Sequence, residues 1–184
     1  MQSSTIEQKL ESMPPNFLAS LICGINDKPE LSRKLLSYFM RKKGSSGIYL
    51  TLDKPGMTIK EEMIRNKIPV ENLYFVDLIS EASGAGIQRD NILFSNSPSN
   101  LTEISIIISG AIKNMKAENK FLIFDTLSTL FSYNPQPLAL KFTHFMSTMI
   151  KNLNVSGVFI IIRNQLDERA VSFISGFVDE TIEI

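Results

Sequence analysis

Short apolar, β-branched runs alternate in this sequence with longer stretches of helical period, and this alternation restricts the fold more than any other feature. The runs that predict strands are FLASLIC (17–23), GIYLTLD (47–53), NLYFVDLI (72–79), 92–94, KFLIFD (120–125) and GVFIIIR (157–163). The stretches that predict helices lie at about 30–43, 57–67, 101–116 and 138–153, with a last helix leading into ETIEI. Such alternation indicates βαβ units, and continuous apolar runs are typical of strands covered on both faces. The sequence therefore predicts a three-layer α/β/α fold around a mostly parallel sheet.

Length, charge and cysteine content narrow the class of protein. A chain of 184 residues with 43% hydrophobic residues supports one domain over 1–184, of which 1–15 form an N-terminal extension or helix. Nineteen basic and nineteen acidic residues cancel, so neither nucleic acid nor a membrane is an expected partner, although a local basic patch is compatible with this count. Cys23 is the single cysteine and no apolar run could span a membrane, so we expect a cytoplasmic protein with a buried thiol.

Two long predicted helices carry apolar stripes with the spacing of packing faces. The stripe residues are Leu101, Ile104, Ile108, Ala111, Ile112 and Met115 on one helix, and Phe142, Phe145, Met146, Met149 and Leu153 on the other. Ile106, Ile107 and Leu140 lie off these stripes. We therefore interpret these three as candidates for an interface with a partner protein or a second copy of the chain.

The segment after the first predicted strand, CGINDKPELSRK, lies where many α/β proteins bind phosphate. A phosphate-binding loop reads G-x-x-x-x-G-K-[ST], and counting from Gly24 places Pro29, Glu30 and Leu31 at its last three positions. Pro29 has no N–H to donate, Glu30 repels a polyphosphate, and Leu31 offers no metal ligand. Lys28 could contact an anion, but we interpret it as a solvated lysine.

Acidic residues stand where several predicted strands end, at the edge where open parallel sheets bind ligands. Asp53 and Asp77 follow the second and third strands, and aspartate in such places commonly begins a turn or caps a helix. Asp125 ends the run FLIFD before TLSTL, which is the form of a strand whose carboxylate holds nucleotide-bound magnesium. As a structural residue, Asp125 is expected to cap or hydrogen-bond the segment 126–129.

These segments together resemble the RecA-like ATPases, and within them the KaiC-like proteins common in archaea and cyanobacteria. The resemblance covers nearly the whole chain and rests on the order of elements and on GIYLTLD, IPVENLYFVDLIS, FLIFDTLSTL and VFIIIRNQ. It implies a RecA-like sheet. The positions that match functional residues of the family are Asp53, Asp77, Asp125, Thr126 and Ser128.

Departures from the family pattern determine the predicted function. The altered phosphate loop, and Lys54 where the family often has a second catalytic carboxylate, predict a catalytically inactive protein that acts in protein association or regulation without a cofactor. Its vestigial cofactor site would comprise Gly24, Lys28, Asp125 and Thr126.

Two alternatives stay open. The first is an ATP-binding protein or weak ATPase whose rearranged loop uses Lys28, with Asp125 as the magnesium ligand and a residue from a neighbouring subunit. The second is a receiver-like signalling domain, which is disfavoured because Gly24 stands where receivers carry an acidic pair. The stretch SEASGAGIQRDN (80–91) has no helical or strand period, and we interpret it as a mobile loop or lid, with a plain solvent loop as the alternative.

Overall fold

A computed structural model of the chain describes residues 3–80 and 91–184. The strands are β1 (Leu18–Cys23), β2 (Ser45–Thr51), β3 (Leu73–Asp77), β4 (Ile92–Phe94), β5 (Asn119–Asp125), β6 (Ser156–Ile162) and β7 (Glu180–Glu183). The helices are α1 (Ser3–Ser12), α2 (Lys28–Met40), α3 (Gly56–Arg65), α4 (Leu101–Asn114), α5 (Leu127–Tyr133), α6 (Gln136–Asn152) and α7 (Glu168–Ser175). The interpretation of 80–91 as a loop or lid concerns 81–90, which lie outside the described residues.

The described strands form one seven-stranded sheet in the order β4-β3-β2-β5-β6-β1-β7, and all their pairings are parallel. Helices α1 to α3 pack on one face and α4 to α7 on the other, each over its own apolar core. Neighbouring strand residues alternate between these cores, as Leu21 and Ile22 do in β1. The predicted fold class is therefore confirmed. No helix in the part of the chain that the structure describes is long and apolar enough to cross a membrane.

Two elements differ from the sequence-based prediction. The chain after β5 first forms the short helix α5, which ends before Asn134, an extended residue that precedes Pro135. Because a residue before proline is disfavoured in the helical region, the helical period breaks there and resumes as α6. The segment ETIEI contributes a strand, β7, which pairs with β1 at the sheet edge.

The predicted packing stripes are confirmed for α4 and partly wrong for α6. All six stripe residues of the first helix are buried. In α6, Phe145 is 52% exposed, whereas Thr143 and Ser147 are buried. These small polar residues tolerate burial because their hydroxyls donate to carbonyls of the same helix, Thr143 to Ala139 and Ser147 to His144. A stripe chosen from large apolar residues therefore wrongly included Phe145 and omitted two small polar residues of the packing face.

The three interface candidates differ in exposure. Ile106 on α4 is 64% exposed, whereas Ile107 and Leu140 are half-buried against the core beneath α4 to α7. Only Ile106 among them presents most of its side chain to solvent. Their part in an interface stays a prediction.

Candidate functional site

The carboxyl edge of β2 and β5 brings the predicted site residues together. These strands are neighbours in the centre of the sheet, and Thr51 pairs with Asp125. Asp53 follows two residues after Thr51, so its carboxylate lies at the same edge as that of Asp125. Helix α2 begins at Lys28, directly after the loop 24–27, where the Lys28 amide donates to the Gly24 carbonyl at 3.2 Å.

Lys28 bridges the two carboxylates. Its Nζ lies 2.6 Å from Oδ2 of Asp53 and 2.9 Å from Oδ1 of Asp125. The Lys28 side chain is 12% exposed and that of Asp125 is 3% exposed. The prediction of a solvated lysine is therefore wrong, because α2 starts close enough to the strand ends for Lys28 to meet two carboxylates there.

The other oxygen of Asp125 accepts from two hydroxyl groups. Tyr49 in β2 donates from its phenol to Oδ2, and Ser32 in α2 donates from Oγ at 3.2 Å. Asp125 thus has two hydroxyl donors on Oδ2 and an ion pair with Lys28 on Oδ1. The buried charge is therefore paired, but Oδ1 has no hydrogen-bond partner among the described residues.

Thr126, and not Asp125, caps the helix that follows β5. The Thr129 amide donates to Oγ1 of Thr126 at 3.2 Å, so the expectation that Asp125 caps 126–129 is wrong. Asp125 points instead toward Lys28, Ser32 and Tyr49. The peptide bond between Asp125 and Thr126 is cis.

Helix α5 is tied to the rest of the site by two hydroxyls. Thr129 donates from Oγ1 to Oδ1 of Asp53 at 2.6 Å, so Asp53 has partners on both sides. Ser128 accepts from the Ile162 amide at 2.9 Å and thereby links α5 to the end of β6. In this chain the small hydroxyl residues after Asp125 hold the site together.

Burial and the paired charges shift the pKa values of the site in identifiable directions. Burial alone would lower the pKa of Lys28, but the carboxylates of Asp125 and Asp53 outweigh it and raise that pKa, so Lys28 carries its charge at neutral pH. Burial raises the pKa of Asp125, against the opposing effects of Lys28 and Tyr49. Burial, reinforced by Asp125, raises the pKa of Cys23 to about 11, which keeps it a thiol, as its apolar surroundings in the sequence predicted.

Asp77 and Lys54 lie near this edge with other partners. Asp77 is fully buried and accepts from the amides of Gly56, Ile79 and Ser80 and from the Ser80 hydroxyl. It therefore anchors the start of α3 and a turn after β3, as the structural interpretation of this residue predicted. Lys54 forms an ion pair with Glu62 at 3.0 Å.

Three members of the site were not predicted from sequence. Ser32 lies one residue beyond the position where the counted motif requires a hydroxyl, so a search tolerant of a one-residue offset would find it. Tyr49 carries no such signal, because an aromatic residue in an apolar strand predicts core packing. Thr129 is recognisable only once α5 is placed beside Asp53.

The site is a charge cluster in which one ammonium contacts two carboxylates, so one negative charge remains in excess. Lys28 supplies a positive charge between the two carboxylates. Within residues 3–80 and 91–184, no three or more His, Cys, Asp or Glu side chains are arranged to hold a metal ion. Asp53 and Asp125 are the carboxylates that could contribute to such a site, and both are engaged by Lys28.

A parallel sheet with helices on both faces defines a three-layer α/β protein, and its solved structural neighbours have RecA-like folds. Similar solved structures include a KaiC-like protein of the hyperthermophilic archaeon Pyrococcus horikoshii, with a TM-score of 0.63, 14% identity and coverage of 88% of this chain and 69% of that one. An uncharacterized protein of the same organism, crystallised with an unknown peptide, has a TM-score of 0.75, 10% identity and coverage of 98% and 82%. The flagellar accessory protein FlaH of Methanocaldococcus jannaschii has a TM-score of 0.62, 10% identity and coverage of 100% and 77%.

The chain belongs to a family of unknown function, DUF7504, whose model matches residues 69–184, more than half of its length. The matched region contains Asp125 and α5 but begins after Lys28 and Asp53. No curated protein matches the chain.

Proposed function

We propose that this protein is a RecA-fold protein that does not hydrolyse ATP and acts by associating with another protein. The observation that carries the proposal is the bridge from Lys28 to Asp53 and Asp125. In working phosphate loops the lysine neutralises the β and γ phosphates and the strand aspartate holds magnesium. Here the lysine ammonium neutralises that aspartate directly, so both groups already have a partner.

The residues around Lys28 disfavour a bound polyphosphate. Pro29 lacks an amide hydrogen, and Glu30 and Asp27 place negative charge at the start of α2. Binding a nucleotide there would require Lys28 to leave its ion pair with Asp125. The Asp125 carboxylate would then be unpaired until a metal ion took the place of the Lys28 ammonium. Separating a buried pair is costly. These residues therefore do not fit Mg·ATP, and we assign no catalytic step to it.

Adding Mg·ATP to the purified protein is expected to leave its melting temperature unchanged and to give no ATP turnover above background. A ligand present at one hundred times its dissociation constant would add about 2.7 kcal/mol to stability, which is a readily measured shift. Differential scanning calorimetry and a phosphate-release assay test this, with an active RecA-fold ATPase as the positive control. A shift or turnover that the Asp125→Asn variant abolishes would contradict the proposal.

One observation favours the alternative of a nucleotide-binding protein. Ser32 lies 3.2 Å from Oδ2 of Asp125, so a hydroxyl is present close to the strand carboxylate even though the counted position holds Leu31. If Lys28 turned toward a phosphate, Ser32 and Asp125 would be free to contribute to a magnesium site. The calorimetric experiment with Mg·ATP separates this alternative from the leading proposal.

A groove between α4 and the edge strand β4 is the surface that we propose for association. It has a volume of about 710 Å³ and is lined in part by Tyr74, Leu93, Phe94, Ile106 and Ile107. Among the described strands β4 pairs only with β3, so its outer edge can accept an added strand. The proposed occupant is an extended segment of a partner protein, and binding by a second copy is the other outcome that the experiment below distinguishes. The peptide crystallised with one structural neighbour supports this kind of occupant.

Light scattering at micromolar concentration is expected to show a dimer, or a stable complex with a copurified partner, in the absence of nucleotide. Ile106→Glu should disrupt it, because the change places a charge on the groove. Ile64→Glu is the matched control, since Ile64 is 55% exposed but lies on α3, across the sheet. A monomer under every condition with no copurified partner, or equal disruption by both variants, would refute association through this groove.

A further inference from the structure

The fold concentrates basic residues at the amino ends of three neighbouring strands. The loops 41–44, 66–72 and 115–118 precede β2, β3 and β5, and β2 pairs with both of the others. Two hydrogen bonds connect these loops to the neighbouring strands. Asn119 in β5 donates to the Lys43 carbonyl in the loop before β2 at 3.0 Å, and Ser46 in β2 donates to the Asn72 carbonyl in the loop before β3 at 2.8 Å. This edge lies opposite the one that carries Asp125.

We name as the basic face the cations on these loops and on the helix and strand ends that border them. They are Arg41, Lys42, Lys43, Arg65, Lys67, Lys113, Lys116 and Lys120. These eight are drawn from the nineteen basic residues of the chain, whereas the same segments contain only two of its nineteen acidic residues, Glu71 and Glu118. These segments therefore carry an excess of positive charge in a chain with no net charge, and the acidic residues that border them from α1 are Glu7 and Glu11.

Most of these charges have no ion-pair partner among the residues that the structure describes. Arg41 pairs with Glu7 at 3.0 Å, Lys42 donates to the Tyr38 hydroxyl, and Lys120 donates to the Ile112 carbonyl. The remaining five are exposed and form no ion pair with any described residue. Cations at helix ends complement the helix dipole, but that role does not require three loops to carry them side by side.

We infer that the basic face binds the phosphate backbone of a nucleic-acid duplex without reading its sequence. The three loops precede adjacent strands about 4.8 Å apart, so their cations lie close enough together to contact neighbouring phosphates of one backbone. Neutralising those phosphates releases counterions, which supplies affinity that does not depend on base sequence. This inference uses residues separate from Lys28, Asp125 and the α4–β4 groove, so it is independent of the proposed function.

The composition of the basic face favours a duplex over other anionic partners. Protein–protein interfaces are depleted in lysine, whereas interfaces with nucleic acid are rich in positive charge. Single strands are usually bound by stacking bases on exposed aromatic residues, and Tyr38 and Phe39, the aromatic residues that Lys42 covers, are buried. Ile64 is the one large apolar residue exposed beside this face among those described, which is little to anchor it in a membrane.

Fluorescence anisotropy with a short labelled DNA duplex tests the inference. Binding is expected to weaken steeply between about 50 and about 200 mM salt. The variant with Lys43, Lys67 and Lys116 all changed to Ala should bind about tenfold or more weakly at the lower salt, and its salt slope should be smaller by about 0.9 for each phosphate that it no longer neutralises. The matched control changes Arg33, Lys141 and Arg169 to Ala, which removes the same charge from exposed positions outside the basic face.

Retained affinity and slope in the control, with both reduced in the lysine variant, would support the inference. Absence of duplex binding by the wild-type protein at about 50 mM salt would overturn it, as would equal losses in the two variants. Tighter binding to phosphatidylserine vesicles or to polyglutamate at matched negative charge would also overturn it, in favour of a membrane surface or an acidic protein.

Discussion

Replacing Lys28 with Met is expected to destabilise the folded protein by about 3 kcal/mol at pH 8, because it leaves a buried carboxylate without its cation. Asp125 is 3% exposed and would retain only the hydroxyls of Tyr49 and Ser32 as donors. The methionine side chain preserves most of the volume of lysine, so the loss of stability measures mainly the effect of removing the charge. Urea denaturation followed by circular dichroism gives the free energy of unfolding.

This loss should shrink as the pH is lowered from 8 toward 4. Burial already raises the pKa of Asp125, and removing Lys28 removes the strongest opposing effect, so the native pKa rises further above the unfolded value of about 3.9. A carboxyl whose native pKa exceeds its unfolded pKa costs stability where it is ionised, and the cost disappears once both states are protonated. Equal losses at pH 5 and pH 8 would exclude this explanation.

Two further variants isolate the charge effect. The double variant Lys28→Met, Asp125→Asn should recover much of the loss at pH 8, because neither charge then remains buried alone. Lys34→Met is the matched control on the same helix, since Lys34 pairs with the exposed Glu30 and should therefore be nearly neutral. If the loss of stability in the double variant equals the sum of the losses in Lys28→Met and Asp125→Asn, the two residues are not energetically coupled.

Replacing Asp77 with Ala is expected to cost about 3 kcal/mol or more. The change removes the acceptor of three amide groups, those of Gly56, Ile79 and Ser80, at a position that is 1% exposed. Each buried donor left unsatisfied costs about 1–3 kcal/mol, although local rearrangement recovers part of this. Urea denaturation measures the loss, and hydrogen exchange at Gly56 should show reduced protection at the start of α3.

Asp167→Ala serves as the matched control for Asp77. Asp167 also accepts from a backbone amide at a helix start, that of Ala170 at 2.7 Å, but it is exposed and water can replace it. Its loss should be clearly smaller. Asp77→Asn should fall between the wild type and Asp77→Ala, because one acceptor oxygen remains. Equal effects of the Ala changes at the two positions would mean that burial does not decide the role of Asp77.

The sequence predicted the order of most elements because each rests on local signals. Continuous apolar runs identified β5 and β6, and the stripe on α4 identified its packing face. The prediction failed where the signal was not local. Phe145 was expected in the core, yet Thr143 and Ser147 occupy that face because their hydroxyls bond within the helix. The short β7 is recognisable as a strand only through its pairing with β1.

The sequence by itself determined that this chain has an α/β fold around a mostly parallel sheet and that Asp125 ends a buried strand. It also determined that the phosphate loop departs from the usual motif. Hydrophobic period and residue type suffice for each of these conclusions. Only the tertiary structure decided that Lys28 meets Asp53 and Asp125, and that eight basic residues share one edge of a chain without net charge. Both arrangements depend on which strands are neighbours, because strand pairing brings together residues that are far apart in sequence. The composition gives the number of charges, whereas the order of the strands determines where those charges lie.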